Sequence, residues 1–411
     1  MANNNMNESE GVMSAKYISV TLALALSGLI ELASLFFIQP LMPELSVSYH
    51  VPVQYVSMIL SAKTAFMAVG LLFTGTLADY FGRKQLIIGS MFLGGVLTLL
   101  CPLVNSWTAL VLIQASTGLA LCGIAAAATA YISEEVAPAV AGVVTGYFVF
   151  GNSVGGMSGR IVASQLIGHA SLDAIFYGFG VCLLIASVVV SFLLPASKNF
   201  TPAPCLNVMK IVKEGAAHFK NKNLALAFVI SFIIFGVFTS LYNYLAFFLK
   251  GEPFHISPTH AGLLSFSFAL SFFTAPQAGR LSSKYGSMKV LRALLAVMAV
   301  GMLLTLVPNV YVFIAGSVIF TASFFGCHSV GLSWVSKNAS HARGQAVALY
   351  LFFYYMGGAV VGYLNGFIFH FSSWKGMTAF IVILLAIGAF VATLLNATQK
   401  KDATLITAEN K

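Results

Sequence analysis

Apolar runs of about twenty residues, parted by short polar segments, follow one another along almost the whole chain. A helix needs about 20 mostly apolar residues to cross the hydrocarbon core of a bilayer. On that length the runs predict helices at 17–38, 54–78, 85–104, 107–132, 139–167 and 172–194, then at 224–249, 259–282, 289–307, 310–336, 344–370 and 376–396. Backbone in lipid must satisfy its own hydrogen bonds, which makes these runs helices rather than open strands. One internal segment is both long and polar: 195–223 holds three prolines and five lysines and no sustained apolar run. It divides the pattern into an N-terminal half, 17–194, and a C-terminal half, 224–396, with 1–16 and 397–411 as tails.

The two halves repeat each other. The run GTLADYFGRK begins at Gly75 after the second predicted span, and GRLSSKYGSM begins at Gly279 after the eighth, an offset of 204 residues. The pair Gly155 and Gly156 of the fifth span recurs as Gly357 and Gly358 in the eleventh, offset by 202. Two matches at nearly one offset point to duplicated units. The expected fold class is therefore an all-α integral membrane protein, with twelve transmembrane helices in two pseudo-symmetric six-helix halves. Parallel repeats of this kind carry a solute between the halves, near the midplane.

Composition narrows the function classes. Hydrophobic residues make up 59% of the 411 and charged residues 8%, against roughly 25% charged in soluble proteins. So little charge cannot cover a soluble surface. The net charge of +9 does not point to nucleic acid, because the basic residues are scattered through short loops instead of clustering on one face. Seventeen of the 21 lysines and arginines fall in alternate loops, the tails and the linker, and only Lys250 and Lys375 in the opposite loops. By the positive-inside rule both termini are expected in the cytoplasm. The first run is too long for the core of a signal peptide and is expected to be retained. The five cysteines show no ligand or disulfide spacing, so no metal is expected. No phosphate-binding loop, dinucleotide fingerprint or zinc motif is present, no cofactor is implied, and the chain is not expected to be an enzyme. Energy for transport would come from a gradient.

Polar residues inside the spans are the candidate chemistry. At 1.5 Å rise per residue, Glu31 in the first span and Lys63 in the second lie roughly 13 Å below one surface, and Gln114 and Arg160 roughly 10 Å. Each charge opposes insertion by about 3 kcal/mol, so the four should face a cavity or one another. The expected arrangement is a Glu31–Lys63 ion pair with Gln114 and Arg160 close by. It could couple protons, hold a solute or be structural. In the second half Tyr242, Asn243 and Tyr244 interrupt the seventh span, and Tyr354, Tyr355 and Asn365 the eleventh. They are either a cavity wall or locally satisfied packing residues.

The whole chain resembles the major facilitator superfamily. Gly75, Asp79, Gly82, Arg83 and Lys84 match the family's signature in the loop between the second and third spans. The stretch with Gly146, Gly151, Gly155, Gly156, Gly159 and Arg160 resembles the fifth-span motif of the family's antiporters. It departs at Gly156, where proline is usual, and at Arg160, where glycine is usual. With Ser133–Glu135 and Ser231–Leu245, the resemblance is greatest to bacterial inner-membrane permeases of the arabinose- and drug-efflux type. It implies a conformational latch at the Gly75–Lys84 loop, whose alternative is a tight turn that anchors topology. It also implies a fifth helix whose glycines seal the outer side, unless they only pack a neighbour closely. Gln114 stands where proton-driven members carry an arginine.

The leading reading is a secondary active transporter that exports small organic molecules by proton antiport with alternating access. The runner-up is a facilitator or importer of a small polar metabolite without proton antiport, and a third is a membrane receptor. Expected partners are a small-molecule solute, protons and the lipid bilayer, with no nucleic acid. The chain is expected to be a monomer in the inner membrane.

Overall fold

The computed structural model describes residues 15–197, 215–339 and 341–409. Residues 1–14 and 198–214, with Lys198, Lys210, Lys213 and Cys205, lie outside the described residues, as do the side chains of Lys16, Lys400 and Lys401. The described chain is helical almost throughout. The first half runs α1 (Ala15–Phe36), α2 (Val53–Leu71 continued by Thr74–Phe81), α3 (Arg83–Leu103), α4 (Trp107–Glu135), α5 (Pro138–Leu166) and α6 (Leu172–Leu193). The second runs α7 (Lys222–Lys250), α8 (Pro258–Gly262, Leu263–Leu270 and Ser271–Tyr285), α9 (Ser287–Leu304), α10 (Val310–Asn338), α11 (343–372) and α12 (374–398). The last two are parted at Ser373, whose φ of 55° breaks the helix. These are the twelve predicted spans.

Two spans are broken within their length. α2 bends by 61° between Leu71 and Thr74. In α8, eight residues, Leu263–Leu270, wind as a 3₁₀ helix, the tighter form common at strained or hinge positions. Pro276 lies inside the helix Ser271–Tyr285 that follows this stretch. The repeat is visible in the backbone. Gly82 has φ 93° and ψ 148°, Gly286 has φ 93° and ψ 137°, and both turn one span into the next in a region that side chains disfavour.

The packing shows how the halves meet. A small apolar core belongs to the first half alone, around Val20, Leu24, Met91, Leu121, Tyr131 and Val144. The larger core runs from Leu35, Phe36 and Ile59 of the first half into α7, α10 and α11 of the second. The halves are thus fused at the end of the bundle opposite the termini. Polar links reinforce that end. Tyr244 donates to Ser57 Oγ at 2.7 Å, Gln165 to the Thr259 carbonyl at 3.0 Å, and Lys250 lies 3.7 Å from Glu44. A cavity of about 350 Å³ there, between Val53 of α2 and Phe247, Phe369 and Trp374, holds none of the expected site residues.

Towards the terminus-bearing end the contact thins. Phe150 of α5 stacks on Phe272 of α8 with ring centres 4.8 Å apart. Beyond it Val143 and Tyr147 are half exposed, and a Cβ built on Gly142, Gly146 or Gly279 would meet nothing within 4 Å. There α5 is covered only along the stripe of Val144 and Phe148.

Candidate functional site

The buried polar groups divide between two places, and the expected ion pair is not formed. Lys63 Nζ donates to the Ser34 carbonyl at 2.6 Å and stands 5.4 Å from the centre of the Phe37 ring. Both Glu31 carboxylate oxygens are buried with no ion pair or side-chain donor among the described residues, and only the backbone of Ala125 approaches them as a donor. Their surroundings are Ala125 and Cys122 of α4, and Tyr355 of α11 lies within electrostatic reach across the interface. The physical reason is rotation about the helix axes: the two side chains lie at similar depth but point to different neighbours. Gln114 also turns inward, donating to Cys101 Sγ at 3.0 Å. It joins neither Glu31 nor Arg160.

Arg160 occupies the junction of the halves. Its Nε donates to Gln39 Oε1 at 2.5 Å and its Nη1 to the Gly156 carbonyl, one turn back, at 2.6 Å. The guanidinium carbon lies 4.1 Å from the centre of the Phe36 ring, 4.6 Å from Phe268 and 5.3 Å from Tyr242. Such cation–π contacts compensate part of the lost hydration. Gln39 Nε2 in turn donates to Asn243 Oδ1 at 2.8 Å. A relay therefore runs from α5 through the turn after α1 to α7. Gln39 was not among the expected site residues. The signal that could have found it is its spacing of 204 residues from Asn243, the repeat offset itself.

The second half supplies an aromatic wall beside this relay. Tyr354 stacks on Phe235 with centres 3.9 Å apart, and Phe238 on Phe324 at 3.7 Å. The Tyr242 hydroxyl is met by Ser267 at 3.1 Å and Thr321 at 2.8 Å, so its polar end is satisfied within its own half. Asn365 donates to Ser240 Oγ at 2.6 Å and ties α11 to α7.

The fifth-helix glycines divide by face. A Cβ on Gly151, Gly155 or Gly159 would collide with the backbone of Ala25, Leu29 or Ala33 of α1. These three serve close packing inside the first half, as a small-residue stripe does. Gly156 lies beside Arg160 and Phe268 at the junction, and Gly146 faces open space. At the loop before α3, Arg83 bridges Asp79 Oδ1 at 2.6 Å and Glu134 Oε1 at 2.7 Å, with Nε 3.0 Å from Glu134 Oε2. Lys84 caps the Ser191 carbonyl at 2.8 Å. A Cβ added at Gly75 would meet nothing within 4 Å. No group of residues that could hold a metal occurs among the described residues.

Comparison with known proteins agrees with this architecture. The family model described as Major Facilitator Superfamily matches residues 24–253 and 224–410. A transporter of Buchnera aphidicola subsp. Schizaphis graminum is 36% identical over 94% of this chain and 92% of its own. The inner membrane transport protein YnfM of Escherichia coli K12 is 35% identical over 93% of this chain and 91% of its own. Among solved structures, the nucleoside transporter NupG superposes with a TM-score of 0.76 at 16% identity, covering 92% of this chain and 99% of that one. At that identity the likeness speaks for the fold alone. With matches spanning both halves, this chain belongs to the Major Facilitator Superfamily and is a multi-pass membrane transporter.

Proposed function

We propose that the protein exports small organic molecules across the bacterial inner membrane in exchange for protons, by alternating access. The observation that carries this reading is a bundle fused at one end and parted at the other, with a buried carboxyl, Glu31, that has no ion-pair partner among the described residues. The loop lysines and arginines favour cytoplasmic termini. The fused end is then the outer one, and the open glycine faces of α5 and α8 line a path to the cytosol.

The links at the fused end are few and polar, and can be exchanged for new ones as the halves rock. An isolated carboxylate is far costlier to bury than the neutral acid. The proton content of Glu31 is therefore tied to how the halves enclose it, which is what coupling requires. The Asp79–Arg83–Glu134 cluster acts as a latch on the cytoplasmic rim. Export accords with the antiporter-like glycine stripe on α5, packed against α1.

The test is solute accumulation in everted membrane vesicles with an acidic lumen, scored across a panel of metabolites and toxic organic compounds. Gradient-driven accumulation of some solute, abolished by collapsing the gradient, is the expected result. Gln114, bonded to Cys101 where an arginine would serve proton coupling, favours the second reading of a facilitator or importer. Uptake confined to right-side-out vesicles and indifferent to the gradient would establish it.

A further inference from the structure

We infer that the solute is an organic acid with an aromatic or apolar body, whose carboxylate takes the Nε–Nη2 edge of Arg160 in place of Gln39. This rests on the transporter reading above and names its substrate class.

The edge is half used. The Nε and Nη2 hydrogens of a guanidinium point the same way and fit the two oxygens of one carboxylate. Here Nε meets the single amide oxygen of Gln39, while Nη2 is buried and, among the described residues, has no partner. A buried donor without a partner is rare in folded proteins and calls for an explanation. No ion pair of Arg160 with an aspartate or glutamate occurs among the described residues, and the rings of Phe36, Phe268 and Tyr242 crowd its guanidinium. The edge held by Gln39 is thus the place where a counter-ion can enter. A carboxylate there would satisfy Nη2 and balance the charge, while its organic part lies against Phe36 and Phe268.

Displacing Gln39 has a consequence across the interface. The same amide donates to Asn243 Oδ1. When the acid takes the guanidinium, Gln39 loses the contact that orients it, and the α1–α7 link at the fused end is released. Arrival of the solute and loosening of the outer seal become one event. Lys63, held by the Ser34 carbonyl and Phe37, takes no part.

The test is binding to the purified full-length protein in detergent, by calorimetry, of benzoate, phenylacetate and indoleacetate and of their neutral amides. At least one acid should bind about tenfold tighter than its amide. In Arg160→Gln that ratio should fall to about one. Gln39→Ala leaves Arg160 in place and removes the internal competitor, so affinity for the acid should rise about threefold. Should Arg160→Gln fail to fold, Gln39→Ala decides alone. Binding of no acid, equal binding of acid and amide, an undiminished ratio in Arg160→Gln, or weaker acid binding in Gln39→Ala would each overturn the assignment. Failure of gradient-driven transport with the binding ratios intact would overturn the proton-antiport reading and leave the carboxylate site standing.

Discussion

Gln39 Nε2 lies 2.8 Å from Asn243 Oδ1, and the two residues stand 204 positions apart. That is the offset between Gly82 and Gly286, the glycines that make the same turn in each half. Gln39 and Asn243 are therefore equivalent residues that meet across the axis relating the halves. Equivalent residues of two repeats can touch only near that axis, so this bond marks where the halves pivot or part. The relation is asymmetric around it. At the 202-residue offset Arg160 corresponds to Gly362, where an added Cβ would come within 3.1 Å of Asn243 Nδ2. The guanidinium has no counterpart in the second half, where the missing side chain leaves its room to Asn243 and Thr239.

The bond should register in a double-mutant cycle. Gln39→Ala and Asn243→Ala are each expected to lower unfolding stability by about 1 kcal/mol. Because they remove one shared interaction, the double variant should lose little more than either single one. Fully additive losses, read from thermal unfolding in detergent, would mean that the residues act separately.

Close packing of α5 on α1 makes an asymmetric prediction about two glycines. Gly155→Ala drives a Cβ into the Leu29 backbone and should cost about 2 kcal/mol or block assembly. Gly146→Ala meets open space and should change stability by less than about 0.5 kcal/mol. Yield and melting temperature of the two variants, measured side by side, check this.

Lys63 offers a test of charge burial. Its ammonium has a carbonyl partner and a ring but, among the described residues, no counter-ion. Replacing a buried, poorly compensated charge with an apolar chain of similar length is often neutral or stabilising. Lys63→Met should therefore fold with an unchanged or higher melting temperature. A loss of about 3 kcal/mol or more, the cost of breaking a buried pair, would show that Lys63 is ion-paired after all.

Glu31 separates coupling from solute binding. Glu31→Gln keeps the shape and removes the exchangeable proton. Gradient-driven accumulation should vanish, while exchange of labelled for unlabelled solute at zero gradient continues. Retained gradient drive in this variant would remove Glu31 from the coupling step.

Arg83 reads two carboxylates with one fork, so its geometry as well as its charge should matter. Arg83→Lys keeps the charge but not the planar donor set. Both Arg83→Lys and Glu134→Gln are expected to slow transport by about tenfold at normal expression. Full activity in Arg83→Lys would reduce the cluster to a simple anchor.

The chain alone determined the twelve spans, the repeat of the two halves and how far along its span each buried polar residue lies, but not the 61° bend of α2 or the 3₁₀ stretch of α8. Apolar run length is set by bilayer thickness and depth by helical rise, so both can be counted along the sequence. Glu31, Lys63, Gln114 and Arg160 do lie buried in one half, as their depths required. Their partners were decided only by the tertiary structure. Successive side chains are about 100° apart around a helix axis, and the facing neighbour depends on how six helices rotate and pack. That rotation turned Lys63 to Ser34 instead of Glu31, Gln114 to Cys101, and Arg160 to Gln39. It made Gln39, an ordinary polar residue before a proline in the sequence, the link between the two halves.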